Sequence, residues 1–309
     1  IKHRKNFGGL RMTQYIAFGP MAGICNRIKR LFSALRFYGD SNDTIDMYWS
    51  ISNIVTEPFG KLFEFKTEFL INEINMQINR DEPPNNCKSI EDGNVFRLLI
   101  KEGEVPNGFT KAYPKDIEGQ ECIDFEFDRI PQEVRKVYLN FFRRLQPSTL
   151  VKDRIEQLNM DTKYVAVHVR LNSQWKEFGR GSDDDLKKYL DEMKKYSKDT
   201  QFFLASCDKK VADFFRLELP GQINELPNKD YEGAVDAVAD LYLLSRASVL
   251  IGSYASTFTE VAWWLSGCGQ QVTIIGDYET FQKNQNDQSI GRKESIKEKI
   301  IRFLKNTKG

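Results

Sequence analysis

The run 164–169 (YVAVHV) is apolar but for His168, and the stretch HVRLNS (168–173) then places Arg170 two positions further on. Side chains alternate between the faces of a strand, so His168, Arg170 and Asn172 share one face. An arginine fork is shaped to grip two phosphate oxygens at once. A histidine beside it can donate to phosphate, brace the arginine or act as a base. Alone, His168 reads as a satisfied core histidine. Paired with Arg170 at a strand end, it reads as chemistry. The chain has 2 histidines, and the other is His3.

Three further stretches offer related chemistry. In 250–260 (LIGSYASTFTE), Ser253, Ser256 and Thr257 cluster where a strand gives way to a helix, with Glu260 in the first turn as in a capping box. Capping uses one hydroxyl, whereas three around a helix N-terminus suit a diphosphate. In 19–30 (GPMAGICNRIKR), Gly19 and Gly23 precede Asn26 and Arg27 at a helix start, where free N–H groups and the helix dipole favour an anion. That stretch is not GxGxxG and lacks the lysine of a P-loop. A glycine turn with a capping asparagine accounts for it as well. In 202–208 (FFLASCD), Ser206 and Asp208 end a strand. An acid there can receive ribose hydroxyls or a base edge, or simply cap the next helix. Asp183, Asp184 and Asp185 read as capping charges. Of Trp263 and Trp264, one is expected in the core and the other along a cleft.

The elements that must position these groups are clearest in the second half. Apolar runs at 164–169, 201–205, 248–252 and 272–276 have strand length and β-branched or aromatic residues. Between them, Leu186, Tyr189, Leu190, Met193 and Tyr196 recur at helical spacing, as do Val235, Val238, Ala239 and Tyr242, then Phe258, Val261, Ala262 and Leu265. Strands alternating with helices predict β-α-β units and a buried parallel sheet, a Rossmann-like domain. A last helix is expected over 290–306. The first half opens the same way, with a strand at 14–20, a helix carrying Ile28, Leu31, Phe32, Leu35 and Tyr38, and a strand at 44–50. From 51 to 130 the pattern fades, with a loop at 80–89. A helical stretch near 131–158 is expected to break at Pro147, and 278–290 reads as a polar loop.

Composition excludes several classes. Lys+Arg at 45 against Asp+Glu at 44 leaves a net charge of +1, which is no nucleic-acid binder's balance. No stretch has the roughly 18 apolar residues of a membrane span, although a peripheral membrane contact stays open. Residues 1–11 (IKHRKNFGGLR) are basic, and Met12 follows, so a vector-derived leader is expected there. The cysteines, 5 in all, are scattered without CxxC pairs or metal-site spacing, which predicts reduced thiols and a cytoplasmic location.

The order HVRLNS, FFLASCD and 236–267 (DAVADLYLLSRASVLIGSYASTFTEVAWWLSG) resembles the C-terminal half of the fucosyltransferase-like glycosyltransferases, which include nodulation-type, α1,6- and protein O-fucosyltransferases. The stretch GICNRIKRLFSALR (23–36) is similar to the family's first glycine–asparagine loop, which holds Asn26 and Arg27. The resemblance spans roughly 14–40 and 164–267. It implies that Arg170 grips the donor diphosphate with His168 beside it, both counted as catalytic. It further implies Asp208 and Asp240 near the nucleotide, and Ser253, Ser256 and Thr257 beside the phosphates. Leu171 and Asn172 depart from the basic residue or glycine and the acid that many relatives carry, so the exact donor stays open.

The implied architecture is α/β, the GT-B arrangement of two Rossmann-like domains facing across a cleft. Residues 12–150 would form the acceptor side and 151–309 would bind the nucleotide sugar. The implied activity is inverting transfer of fucose from GDP-fucose to a glycan hydroxyl, with no metal or other cofactor. Two alternatives remain: another GDP- or UDP-sugar as donor, or a non-catalytic nucleotide- or glycan-binding protein of the same fold.

Overall fold

The structure is a computed structural model that describes residues 13–18, 22–38, 44–77, 98, 132–158, 160, 163–170, 183–254 and 256–276. The leader at 1–11, the loops at 80–89 and 278–290, the helix expected over 290–306, and Asn172 lie outside these residues.

Strands β1 (Thr13–Ala17) and β2 (Thr44–Ile51) pair in parallel across the connecting helix α1 (Ile24–Tyr38). Strand β4 (Leu70–Gln77) adds to β2, giving a three-stranded sheet in the order β1-β2-β4. β4 leaves most of its side chains at least partly exposed, with Met76 alone fully buried. An edge strand of that kind carries no apolar run, which is why LINEINMQ did not stand out.

The second sheet has five parallel strands: β6 (Val165–Val169), β7 (Phe202–Ser206), β8 (Ile223–Asn224), β9 (Val249–Ser253) and β10 (Gln271–Ile275). Their spatial order is β10-β9-β6-β7-β8. Counted from β6, that is 3-2-1-4-5, the doubly wound order. β6 and β7 are buried along their whole length, as strands covered on both faces must be. Helices α5 (Asp183–Met193), α6 (Lys209–Glu218), α7 (Ala234–Arg246) and α8 (Thr257–Leu265) make the crossovers.

A bridging region joins the two sheets. It holds α2 (Phe59–Leu62), β3 (Phe63–Phe65), α3 (Gln132–Arg144), β5 (Leu145–Pro147) and α4 (Thr149–Glu156). The expected break at Pro147 is a short strand: β5 pairs antiparallel with β3, setting Pro147 opposite Phe63. Ser148 then caps α4, accepting from Val151 N at 3.3 Å and donating to the Lys61 carbonyl at 2.6 Å.

One buried core runs from the first sheet to the second through Leu31, Phe32, Phe142 and Trp264. Phe142 of α3 stacks on Trp264 of α8 at 5.4 Å and 9°. Trp263 is buried as well, so neither tryptophan lines an open cleft as one was expected to. A second core, with Val167, Tyr189, Phe202 and Phe215, covers the opposite face of the five-stranded sheet. Among the described residues Cys25 is a buried free thiol, and no helix is long and apolar enough to cross a membrane.

Candidate active site

Strands β6 and β9 pair only as far as Val167↔Ile251, although both run two residues further. On their outer sides the ladders continue, β6 to β7 through Val169↔Ser206 and β9 to β10 through Ile275↔Ser253. A crevice therefore opens between β6 and β9 at their C-terminal ends. This is the topological switch point, where open α/β sheets take their ligands.

Side chains replace the missing ladder. Arg170 N donates to Ser253 Oγ at 3.0 Å, and that hydroxyl reaches the His168 carbonyl at 3.1 Å and Tyr189 Oη at 2.8 Å. Tyr189 Oη donates to the same carbonyl at 3.1 Å. Thr259 Oγ1 accepts from Ser253 N at 3.3 Å and meets His168 Nδ1 at 2.7 Å. So close an approach requires Gly252, where a Cβ would stand 2.1 Å from Thr259 Cγ2. The peptide carrying Arg170 is thus clasped to the end of β9.

His168 is buried, and its ring stacks on Phe258 at 4.9 Å. Burial, reinforced by the charges of Arg170 and Lys229, pushes its pKa down to about 3. A base that weak takes protons poorly at neutral pH, so the imidazole here is a neutral strut and the role of titrating catalytic group does not fit it. Tyr189 and Thr259 escaped the sequence reading. Tyr189 looks like one more member of an apolar helical stripe, and Thr259 like a helical threonine.

Among the buried polar atoms that lack a hydrogen-bond partner, two stand at the starts of α8 and α1. Ser256 stands at the N-cap of α8 yet makes no side-chain cap bond, and its buried Oγ has no protein partner. Thr257 is buried beside it. In the first turn of α1, Asn26 Oδ1 is equally buried and unpartnered. The two helices are tied by Lys29 Nζ, which meets Glu260 at 2.9 and 2.7 Å. Burial pushes the Cys25 thiol pKa up, while Arg170 lowers it, Glu260 raises it and Lys29 lowers it. The Lys29–Glu260 pair thus holds α1 against α8, which follows the strand end that clasps the Arg170 peptide. Three of the stretches singled out by sequence meet here.

Other expected ligand residues have different work in the structure. Arg27 is fully buried: Nε donates to the Ala22 carbonyl at 2.8 Å, Nη1 to the Ser50 carbonyl at 2.6 Å, and the guanidinium lies 4.7 Å from the Trp49 ring centre. Burial lowers its pKa to about 10. It joins α1 to β2 and Trp49 as part of the core. Asp208 caps α6, accepting from Lys210 N at 2.9 Å. Asp240 is buried against Lys229 at 2.6 Å, and Lys229 also donates to the Ser206 carbonyl at 2.8 Å. Burial pushes Asp240 up to about 6 against the pull of Lys229. Its Oδ1 has no partner, leaving one acceptor bare below the end of β7. Lys229, in the loop after β8, gave no signal in the sequence. Asp183, Asp184 and Asp185 open α5.

No protein-family model matches the chain. No curated protein sequence matches it. Solved structures do. POFUT1 in complex with GDP-fucose matches with a TM-score of 0.50 at 16% identity, over 85% of this chain and 99% of that one. A second crystal form of that complex gives a TM-score of 0.50 at 15% identity, over 86% and 98%. The fucosyltransferase NodZ from Bradyrhizobium gives 0.49 at 18% identity, over 82% and 93%. The chain has a fucosyltransferase-like fold.

Proposed function

We propose that the chain is an inverting glycosyltransferase that moves fucose from GDP-fucose to a glycan hydroxyl. The observation that carries this reading is the crevice between β6 and β9. There the clasped Arg170, the bare Ser256 hydroxyl and the N-terminus of α8 converge at the switch point of a doubly wound sheet. Such a place suits an anionic ligand, and a protein of similar fold has been solved with GDP-fucose bound. In this reading the arrangement is GT-B, with residues 12–150 on the acceptor side and 151–309 holding the donor. The protein works in the cytoplasm.

The acceptor oxygen attacks the anomeric carbon from the face opposite the diphosphate. The bond from that carbon to the diphosphate oxygen breaks and its electron pair leaves with GDP, while the proton of the acceptor hydroxyl passes to solvent water. Arg170, the Ser256 hydroxyl and the α8 dipole meet the charge that grows on the leaving group, in a position fixed before the reaction begins. His168 keeps Thr259, Ser253 and so the Arg170 peptide in place. Asp240, with its bare Oδ1, offers an acceptor for the donors of a base edge.

Turnover of GDP-fucose with oligosaccharide acceptors, set against other GDP- and UDP-sugars, tests the assignment. GDP should raise the melting temperature with EDTA present, and GDP-fucose should outpace the other donors. A strict need for Mg²⁺ or Mn²⁺ in binding and turnover would remove the metal-free part of the reading. Preference for a UDP-sugar would remove the donor.

A further inference from the structure

Lys29 of α1 has no exposed surface, and it meets both carboxylate oxygens of Glu260 on α8, a partner 231 residues away. Glu260 is itself braced, because Oε1 accepts from Trp264 Nε1 at 3.3 Å and Trp264 stacks on Phe142. One turn toward the N-terminus from each partner stands a bare polar group. Asn26 precedes Lys29 by three positions and Ser256 precedes Glu260 by four, spacings that keep each on the same helix face as its ionic neighbour. A buried ion pair adds little net stability over an apolar pair of equal volume, yet it tolerates little change in separation. It is better suited to fixing a distance than to holding a fold.

We propose that Lys29 and Glu260 are positioning residues that set the separation of the first turns of α1 and α8, so that Asn26 and Ser256 address one ligand from two sides. This rests on the reading of the crevice as a nucleotide-sugar site. Ser256 and Arg170 hold the diphosphate from the second sheet, while the first sheet brings Asn26 to the sugar end. Disturbing the pair should therefore spare GDP binding and slow transfer.

Two variants test it. Glu260→Asp keeps both charges and draws the carboxylate back by one methylene. Lys29→Met with Glu260→Gln removes both charges and leaves Trp264 an acceptor. Melting temperature, GDP affinity, kcat and KM for GDP-fucose, and amide hydrogen exchange are measured on each. Both variants should fold and bind GDP nearly as the parent does, with kcat reduced about 10- to 100-fold, the scale of loss expected from sub-ångström misplacement. Exchange should quicken in the first turns of α1 and α8 and nowhere else. Parental kcat and parental exchange in a folded variant overturn the proposal, and so does loss of the fold in both, which would make the pair a stability element. If the parent protein does not turn over GDP-fucose, the donor assignment falls by itself. The exchange pattern then still decides whether the pair sets the helix separation.

Discussion

Ser256→Ala separates a ligand-facing hydroxyl from a helix cap by the sign of its effect. The Ser256 Oγ is buried, makes no cap bond and has no protein partner. A buried hydroxyl in that condition carries a desolvation cost of about 1–3 kcal/mol. Deleting it should leave the free protein as stable as before or more so, moving the melting temperature up by about 2 °C per kcal/mol in a chain of this size. If the hydroxyl donates to phosphate in the complex, the variant loses a charge-assisted bond of about 1.5–3 kcal/mol, roughly 10- to 150-fold in affinity.

The assay is thermal unfolding with and without GDP. At GDP about 100 times the parental Kd, bound ligand stabilises by about 2.7 kcal/mol. A tenfold loss of affinity cuts that to about 1.4 kcal/mol at the same concentration. The expected signature is thus a free protein that melts no lower and a ligand response that is roughly halved. An ordinary cap gives the reverse: about 0.5–2 kcal/mol of lost stability with the response to GDP intact. That result would refute the assignment of Ser256 to the ligand.

Arg170→Ala should abolish most GDP binding in titration calorimetry while the fold persists. Arg170→Lys should recover little, because an ammonium cannot reproduce the two-pronged contact, and parental affinity in either variant would disprove the diphosphate site. His168→Gln should flatten the acid limb of stability. With a folded pKa of about 3 against 6.5, the unfolded chain takes up a proton the folded one refuses, so stability is complete above pH 6.5 and is lost as pH falls toward 3. At 1.36 kcal/mol per pH unit that loss has a ceiling of about 5 kcal/mol. Chemical denaturation at pH 7 and pH 4.5 measures it, and an equal acid loss in parent and variant would show that His168 titrates normally.

The middle of the second sheet was legible because β6 and β7 are buried on both faces. VAVHV is apolar but for His168 and FFLAS but for its last residue, and the stripe through Leu186, Tyr189, Leu190 and Met193 became α5 with three of those four residues buried. β3, β4, β5 and β8 were illegible for the converse reason. They are edge or two- and three-residue strands whose existence depends on a partner distant in sequence, as β5 depends on β3. Arg27 misled because its environment is set by distant residues. A basic residue near a helix start reads as ligand-facing, and only the fold shows it closed against Trp49.

The hydroxyls show where a sequence stops informing. Ser253, Ser256, Thr257 and Thr259 offer the same chemistry within seven residues, and sequence alone marks the first three as one phosphate cluster. The structure divides the group by a property no local pattern encodes: which oxygens already have protein partners. Ser253 and Thr259 spend theirs on the Arg170 peptide and on His168, across a gap that exists because β6 and β9 part after Val167 and Ile251. Thr259 can reach that gap only because residue 252 lacks a Cβ. Ser256, three residues upstream at the helix start, is left with a buried oxygen and no partner. The clasp therefore fixes the Arg170 peptide, and Ser256 is the hydroxyl of this group that the protein itself leaves unused, which is why its replacement by alanine is the sharpest test of the proposed donor site.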